Sequence, residues 1–233
     1  MTRKKIYKLK YLSVLIILSF IIIYLAFYYQ TNENNNLLNK QTKEHNHNNP
    51  AVENLEVAGK RVNYREKIIE PYTAYNFNLI DGSGKSISLN DLHGKIRLVS
   101  FIYTSCPDIC PLLTNQYYII QQELDQFIGK EVELIFITTD PEIDTPDRIK
   151  HYTEAYKGRW FFLTSKNIQE IKIVWDKYDV FREKKQDEND IVVYHSYKTY
   201  LIDNNGQVKV MYVGLLDTEE VIRDIQNLLY ENK

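Results

Sequence analysis

Hydrophobic positions fall into three regimes along the chain. Tyr11 to Tyr29 (YLSVLIILSFIIIYLAFYY) is apolar and carries no charge. At ~1.5 Å rise per residue, a helix of that length spans roughly 28 Å, enough for the hydrocarbon core of a bilayer. Its bulky end offers no small-residue cleavage site, so a retained anchor is predicted rather than a signal peptide. Residues 30–70 are polar and Asn-rich without a sustained period, which predicts a tether. His45 and His47 lie in that stretch and read as solvated linker residues.

From residue 71 to 233 the pattern becomes orderly. Phe77 to Ile80 and Lys85 to Leu89 flank Asp-Gly-Ser-Gly and predict a hairpin. Ile96 to Tyr103 (IRLVSFIY) and Val132 to Thr138 (VELIFIT) are apolar on both faces, the signature of strands at the centre of a sheet. A helix is predicted over Leu112 to Ile128, stopping at Gly129, and a second from Pro146 to Tyr156 with Thr145 as N-cap. A short strand over Trp160 to Leu163 and a helix over Ile168 to Tyr178 follow. Tyr197 to Ile202 and Val208 to Val213 are predicted to pair across Asn-Asn-Gly, and Glu219 to Tyr230 closes the chain as a helix. The charged segment Phe181 to Ile191 predicts an exposed loop. This order describes an α/β, thioredoxin-like sandwich with an added N-terminal β-hairpin.

Charge sharpens the topology. Arg3, Lys4, Lys5, Lys8 and Lys10 form a basic tail over residues 1–10 and are predicted to stay in the cytoplasm, sending the rest across. A bacterial inner membrane with the domain in the periplasm is expected, with the mitochondrial inner membrane as the second choice. Of 29 bases, 24 remain outside the tail against 31 acids. Such an acidic remainder argues against a nucleic-acid partner.

The chain has 2 cysteines, Cys106 and Cys110, in SFIYTSCPDICPLLT. Both follow a buried strand at the mouth of a helix. Pro111 suits the first helical position, which would make Cys110 the N-cap. Helix amides and dipole then favour thiolates near neutral pH. Three uses remain open on the pair alone: a disulfide, a redox dithiol, and capture of a soft metal such as Cu(I). His195 precedes the strand YKTYLI, which in a thioredoxin-like fold starts beside the cysteine turn. An S₂N donor set suits Cu(I) and, with a water, Cu(II).

With these residues the sequence resembles the Sco/SenC family of copper proteins that mature cytochrome c oxidase. FIYTSCPDICP matches its Cys-Pro-Asp-x-Cys-Pro loop, TTDPEIDTP its Asp-Pro-Glu-x-Asp-Thr-Pro segment, and HSYKTYLIDNNG its histidine strand and turn. The resemblance covers about residues 70–231. It implies one copper held by Cys106, Cys110 and His195, and a metallochaperone rather than an enzyme. It also implies, as partner, cytochrome c oxidase subunit II or another copper protein, through copper delivery or thiol reduction. The alternative is a thiol–disulfide oxidoreductase, or a redox or copper sensor, using the same pair. Asp140 and Asp144 match the second motif and read as loop-forming residues. Tyr194 stands where the family usually has Asp, so tuning of the imidazole is where this chain departs.

Overall fold

Two segments with no polar face decide the centre of the sheet. The computed structural model describes residues 64–187 and 190–231, together with a short antiparallel pair, β1 (Glu56–Val57) and β2 (Lys60–Arg61). Along the chain follow β3 (Tyr64–Thr73), the hairpin β4 (Asn78–Ile80) and β5 (Ser86–Ser88), and a 3₁₀ turn at Leu89–Leu92. Then come β6 (Ile96–Ile102), α1 (Ile109–Glu123), β7 (Val132–Thr138), α2 (Pro146–Ala155), β8 (Phe161–Leu163) and α3 (Ile168–Lys177). A second hairpin, β9 (Arg182–Asp187) and β10 (Asp190–His195), leads into β11 (Lys198–Ile202), β12 (Gln207–Val213) and α4 (Thr218–Glu231).

Six strands form the main sheet in the order β3-β12-β11-β6-β7-β8. The β6–β7 and β7–β8 pairs are parallel, whereas β11 runs antiparallel to β6 and β12 antiparallel to β11. Every residue of β6 and β7 is buried. Period-2 alternation divides them between two cores. Leu98, Ile102, Leu134, Phe136 and Leu201 pack with residues of α1 and α4. Val99, Phe101, Ile135, Ile137 and Tyr200 face the opposite side with α3 and the β4–β5 hairpin.

The first hairpin, the two central strands, the capped α2 and the β11–β12 turn all form as their local signals indicate. The Thr145 hydroxyl accepts the Arg148 amide with Pro146 at the helix start. Gly206 adopts φ 85° in the β11–β12 turn, a conformation open to glycine.

Three segments differ. The polar stretch read as tether contains most of β3, which pairs with β12. It is an edge strand, where Pro71 is tolerated, and its Arg65 forks onto Asp224 of α4 at 2.7 and 2.7 Å. Helix α1 begins at Ile109, so Asp108 is the N-cap and Cys110 lies within the first turn, not at its cap. The charged run 182–187 is a strand rather than a loop, paired with 190–195. Among the described residues, no helix is long and apolar enough to cross a membrane. The predicted span 11–29, the basic tail, and His45 and His47 lie outside the described residues.

Candidate metal centre

Strand β6 ends at Ile102 and delivers the loop that carries the first thiol. The Cys106 amide donates to the Tyr103 carbonyl at 3.3 Å, closing a tight turn before α1. Thr104 anchors the loop from below, its amide reaching the two Asp144 oxygens at 3.3 and 3.1 Å and its hydroxyl donating to the same carboxylate. Arg148 of α2 adds contacts to Thr104 Oγ1 at 2.6 Å and to Ser105 Oγ at 3.2 Å. Because Thr199 of β11 pairs with Ser100 of β6, the start of β11 lies beside the end of β6. His195, three residues before β11, is therefore delivered to the cysteine loop.

Of the sequence-predicted residues, the structure brings Cys110 and His195 together. His195 Nε2 lies 3.9 Å from Cys110 Sγ. All three side chains are secluded, with 7% of Cys106, 0% of Cys110 and 4% of His195 exposed. Both cysteines are free thiols, so the pair is not a disulfide here. His195 Nδ1 is 3.0 Å from the Ser196 carbonyl, which can only accept, so the proton sits on Nδ1. The Nε2 lone pair is thereby left facing the sulfur, as metal-binding imidazoles require. Tyr103 and Tyr197 flank the ring edge-on, with centroids 5.7 and 4.8 Å away.

The two thiols are not equivalent. A hydrogen bond from the Cys110 thiol favours charge on the Cys106 sulfur. Burial opposes the charge, but the amides of Cys110 and Asp108 and the Tyr103 hydroxyl support it, and Cys106 is brought down to about 6. Burial, reinforced by that neighbouring thiolate, pushes Cys110 well above the ordinary thiol range. The expected pair of thiolates is thus one thiolate and one thiol, because two negative sulfurs in a buried site repel. Burial also pulls the His195 imidazole down to about 4, with the bond to Ser196 opposing only in part.

A soft cation fits these donors chemically. With metal–sulfur and metal–nitrogen bonds of about 2.3 and 2.0 Å, a trigonal ion holds S and N roughly 3.7 Å apart. The observed 3.9 Å is close to that spacing. The trio does not yet converge on one point, since among the described residues no three such side chains surround an ion-sized space.

Asp140 and Asp144 do more than shape a loop. Asp144 is fully buried and raised by that burial, while Thr104 and Thr138 hold it ionised through hydrogen bonds. Asp140, 4% exposed, receives Lys184 at 3.1 Å and lies 3.6 Å from Arg182. Sequence reading missed Lys184, Arg182, Tyr103 and the Ser196 carbonyl. Of these only Tyr103, at the end of an apolar strand beside the thiols, had a local signal. Tyr194 occupies the strand face opposite His195, where Lys185 lies 5.7 Å from its ring centroid.

A thioredoxin-like α/β domain presenting a dithiol and a neutral imidazole at one end of its sheet is the class that fold and site define. The SCO1/SenC family model matches residues 66–230, and the chain belongs to that family. An SCO2-like protein of Rickettsia prowazekii is 35% identical over 156 residues, covering 65% of this chain and 74% of the relative. Copper-bound ScoI of Arabidopsis thaliana has a similar structure, with TM-score 0.62 and 27% identity over 69% of this chain and 99% of that one. BsSco belongs to the Sco family of cytochrome c oxidase assembly proteins and contains a disulfide switch. It is similar at TM-score 0.57 and 28% identity, covering 70% of this chain and 96% of its own.

Proposed function

We propose that this chain carries copper as cargo on Cys106 Sγ, Cys110 Sγ and His195 Nε2, and hands it to an oxidase copper site during assembly. The dinuclear copper site of cytochrome c oxidase subunit II is the recipient this reading favours, with residues 11–29 anchoring the domain at the periplasmic face of a bacterial inner membrane. The observation that carries the reading is the imidazole lone pair held 3.9 Å from the Cys110 sulfur in a buried pocket. Copper in the similar Arabidopsis ScoI and the oxidase-assembly role of BsSco support it.

The residues divide the work. Cys106 supplies a charge ready for a cation, while Cys110 must give up a proton before its sulfur can donate. Ser196 fixes the imidazole tautomer, so no proton has to leave Nε2. Tyr103 and Tyr197 keep water from the ring. Burial of all three donors protects the cargo in transit, and transfer requires the recipient to replace them in turn.

The test is copper affinity of the purified chain and its His195→Ala variant, by competition with a chelator. The variant is expected to bind roughly 10-fold to 100-fold more weakly with both thiols still titratable. Equal affinity for Cu(I) and Cu(II) in parent and variant would remove His195 from the site.

A second reading, thiol–disulfide exchange with the recipient's cysteines, is favoured by the split between a low Cys106 and a high Cys110, the arrangement of an attacking and a resolving thiol. Reduction of a disulfide peptide by the copper-free chain, abolished in Cys106→Ser, supports that role alongside carriage.

A further inference from the structure

The β9–β10 hairpin lies outside the main sheet, yet it holds the imidazole that faces the Cys110 thiol. We propose that Lys184 and Arg182 are positioning residues that clamp this hairpin to Asp140, and so set the reach of His195 to copper. The proposal rests on His195 being a copper ligand.

Register supplies the first observation. Arg182 pairs with His195 and Lys184 with Val193. Residues directly opposite in an antiparallel pair share a face, so these four point inward together. Val193 and His195 are both buried there. The inner cations meet partners on the body of the domain. Lys184 Nζ lies 3.1 Å from Asp140 Oδ1 and 2.5 Å from Glu142 Oε2. Arg182 Nε donates to the Thr139 carbonyl at 2.9 Å, and its guanidinium lies 5.2 Å from the Trp175 ring centroid.

The acids of this clamp also connect to the thiols. The Asp140 amide donates to Thr138 Oγ1 at 2.9 Å, and that hydroxyl donates to Asp144 at 2.6 Å. Asp144 in turn accepts the Thr104 amide and hydroxyl, two residues before Cys106. One short segment, 138–144, therefore grips the cysteine loop at Asp144 and the histidine hairpin at Asp140. Loss of the Lys184 charge loosens the hairpin at Asp140 without touching the sulfurs.

The decisive variant is Lys184→Met in the intact chain, which keeps length and loses charge. Copper affinity is expected to fall about tenfold, in the range typical of residues that orient a metal ligand. Imidazole nitrogen hyperfine coupling in the Cu(II) form should weaken or disappear. The unfolding midpoint should stay within about 2 °C and Cys106 alkylation should be unchanged, outcomes that a general loss of structure would not give. Lys184→Arg should restore affinity to within about twofold, and Lys184→Met should add nothing in a His195→Ala background.

A folded Lys184→Met with parental affinity and hyperfine coupling overturns the proposal, as does full additivity with His195→Ala. Should Lys184→Met fail to fold, Lys184→Gln takes its place, since it also removes the charge that meets Asp140, and parental copper properties there overturn it equally. If His195→Ala itself binds copper like the parent, the ligand reading is what fails, and the two failures are told apart.

Discussion

Loading the reduced chain with one Cu(I) at pH 7.5 should release close to one proton. Three groups enter the balance. Cys106, held down to about 6, is almost wholly ionised at that pH. His195, pulled down to about 4, has no proton to lose from Nε2. Cys110 stays protonated and supplies the proton. Two ordinary thiols near pH 8.5 would together release about 1.8 protons at pH 7.5, so the built asymmetry nearly halves the count. At pH 5 the count should rise to about two, since Cys106 is then largely protonated as well. The logarithm of affinity must follow, climbing by about one per pH unit near pH 7.5 and about two near pH 5. Titration calorimetry in buffers of different ionisation enthalpy, with Ag(I) as a redox-silent stand-in for Cu(I), reads the number directly. A release near two at pH 7.5, or a count that does not change between pH 5 and 8, would refute the assignment of the charge to Cys106.

The buried imidazole also makes a prediction for acid stability of the copper-free chain. Its folded value, about 4, lies below the ordinary 6.5, so on acidification the unfolded chain takes the proton first. The stability it contributes is complete above about pH 6.5 and is lost toward pH 4, by about 3 kcal/mol. Urea unfolding at pH 7 and pH 4.5 should therefore show a smaller pH difference in His195→Ala than in the parent, and equal differences would contradict the buried neutral ring. Asp144→Ala removes the acceptor for the Thr104 amide and hydroxyl and for Thr138, leaving buried donors unmet. It should cost about 2–4 kcal/mol in the same assay, and a loss below about 0.5 kcal/mol would show that the carboxylate holds nothing.

What could be read from sequence follows from where each signal resides. Leu98, Val99, Leu134 and Ile135 announce a two-sided strand pair because apolar residues fall on both faces of each strand. Thr145 before Pro146 and the Asn-Asn-Gly turn carry their geometry in a few adjacent letters. The approach of His195 to Cys110 was likewise readable, once β11 was set beside β6. The β9 strand was not, since Arg182-Glu183-Lys184-Lys185 has the composition of a solvated loop. Its partners Asp140 and Glu142 are some forty positions away, and only the folded chain neutralises the charges. β3 was hidden for a related reason: its Arg65 is matched by Asp224 on the last helix. The ionisation split within the cysteine pair depends on the Cys110 thiol supporting charge on Cys106 while burial holds Cys110 itself protonated, an asymmetry that spacing does not encode.

Hairpin geometry imposes a parity rule on this protein. Neighbouring residues in β10 point to opposite sides, so Tyr194 and His195 exchange places whenever the strand slips by one. A single insertion or deletion between Arg182 and His195, away from the tip, would turn the imidazole out to solvent and bring a phenol ring to the sulfurs. Length changes within either strand that keep His195 facing inward must come in twos, whereas the outward positions 183, 185 and 194 can vary in identity without moving the nitrogen.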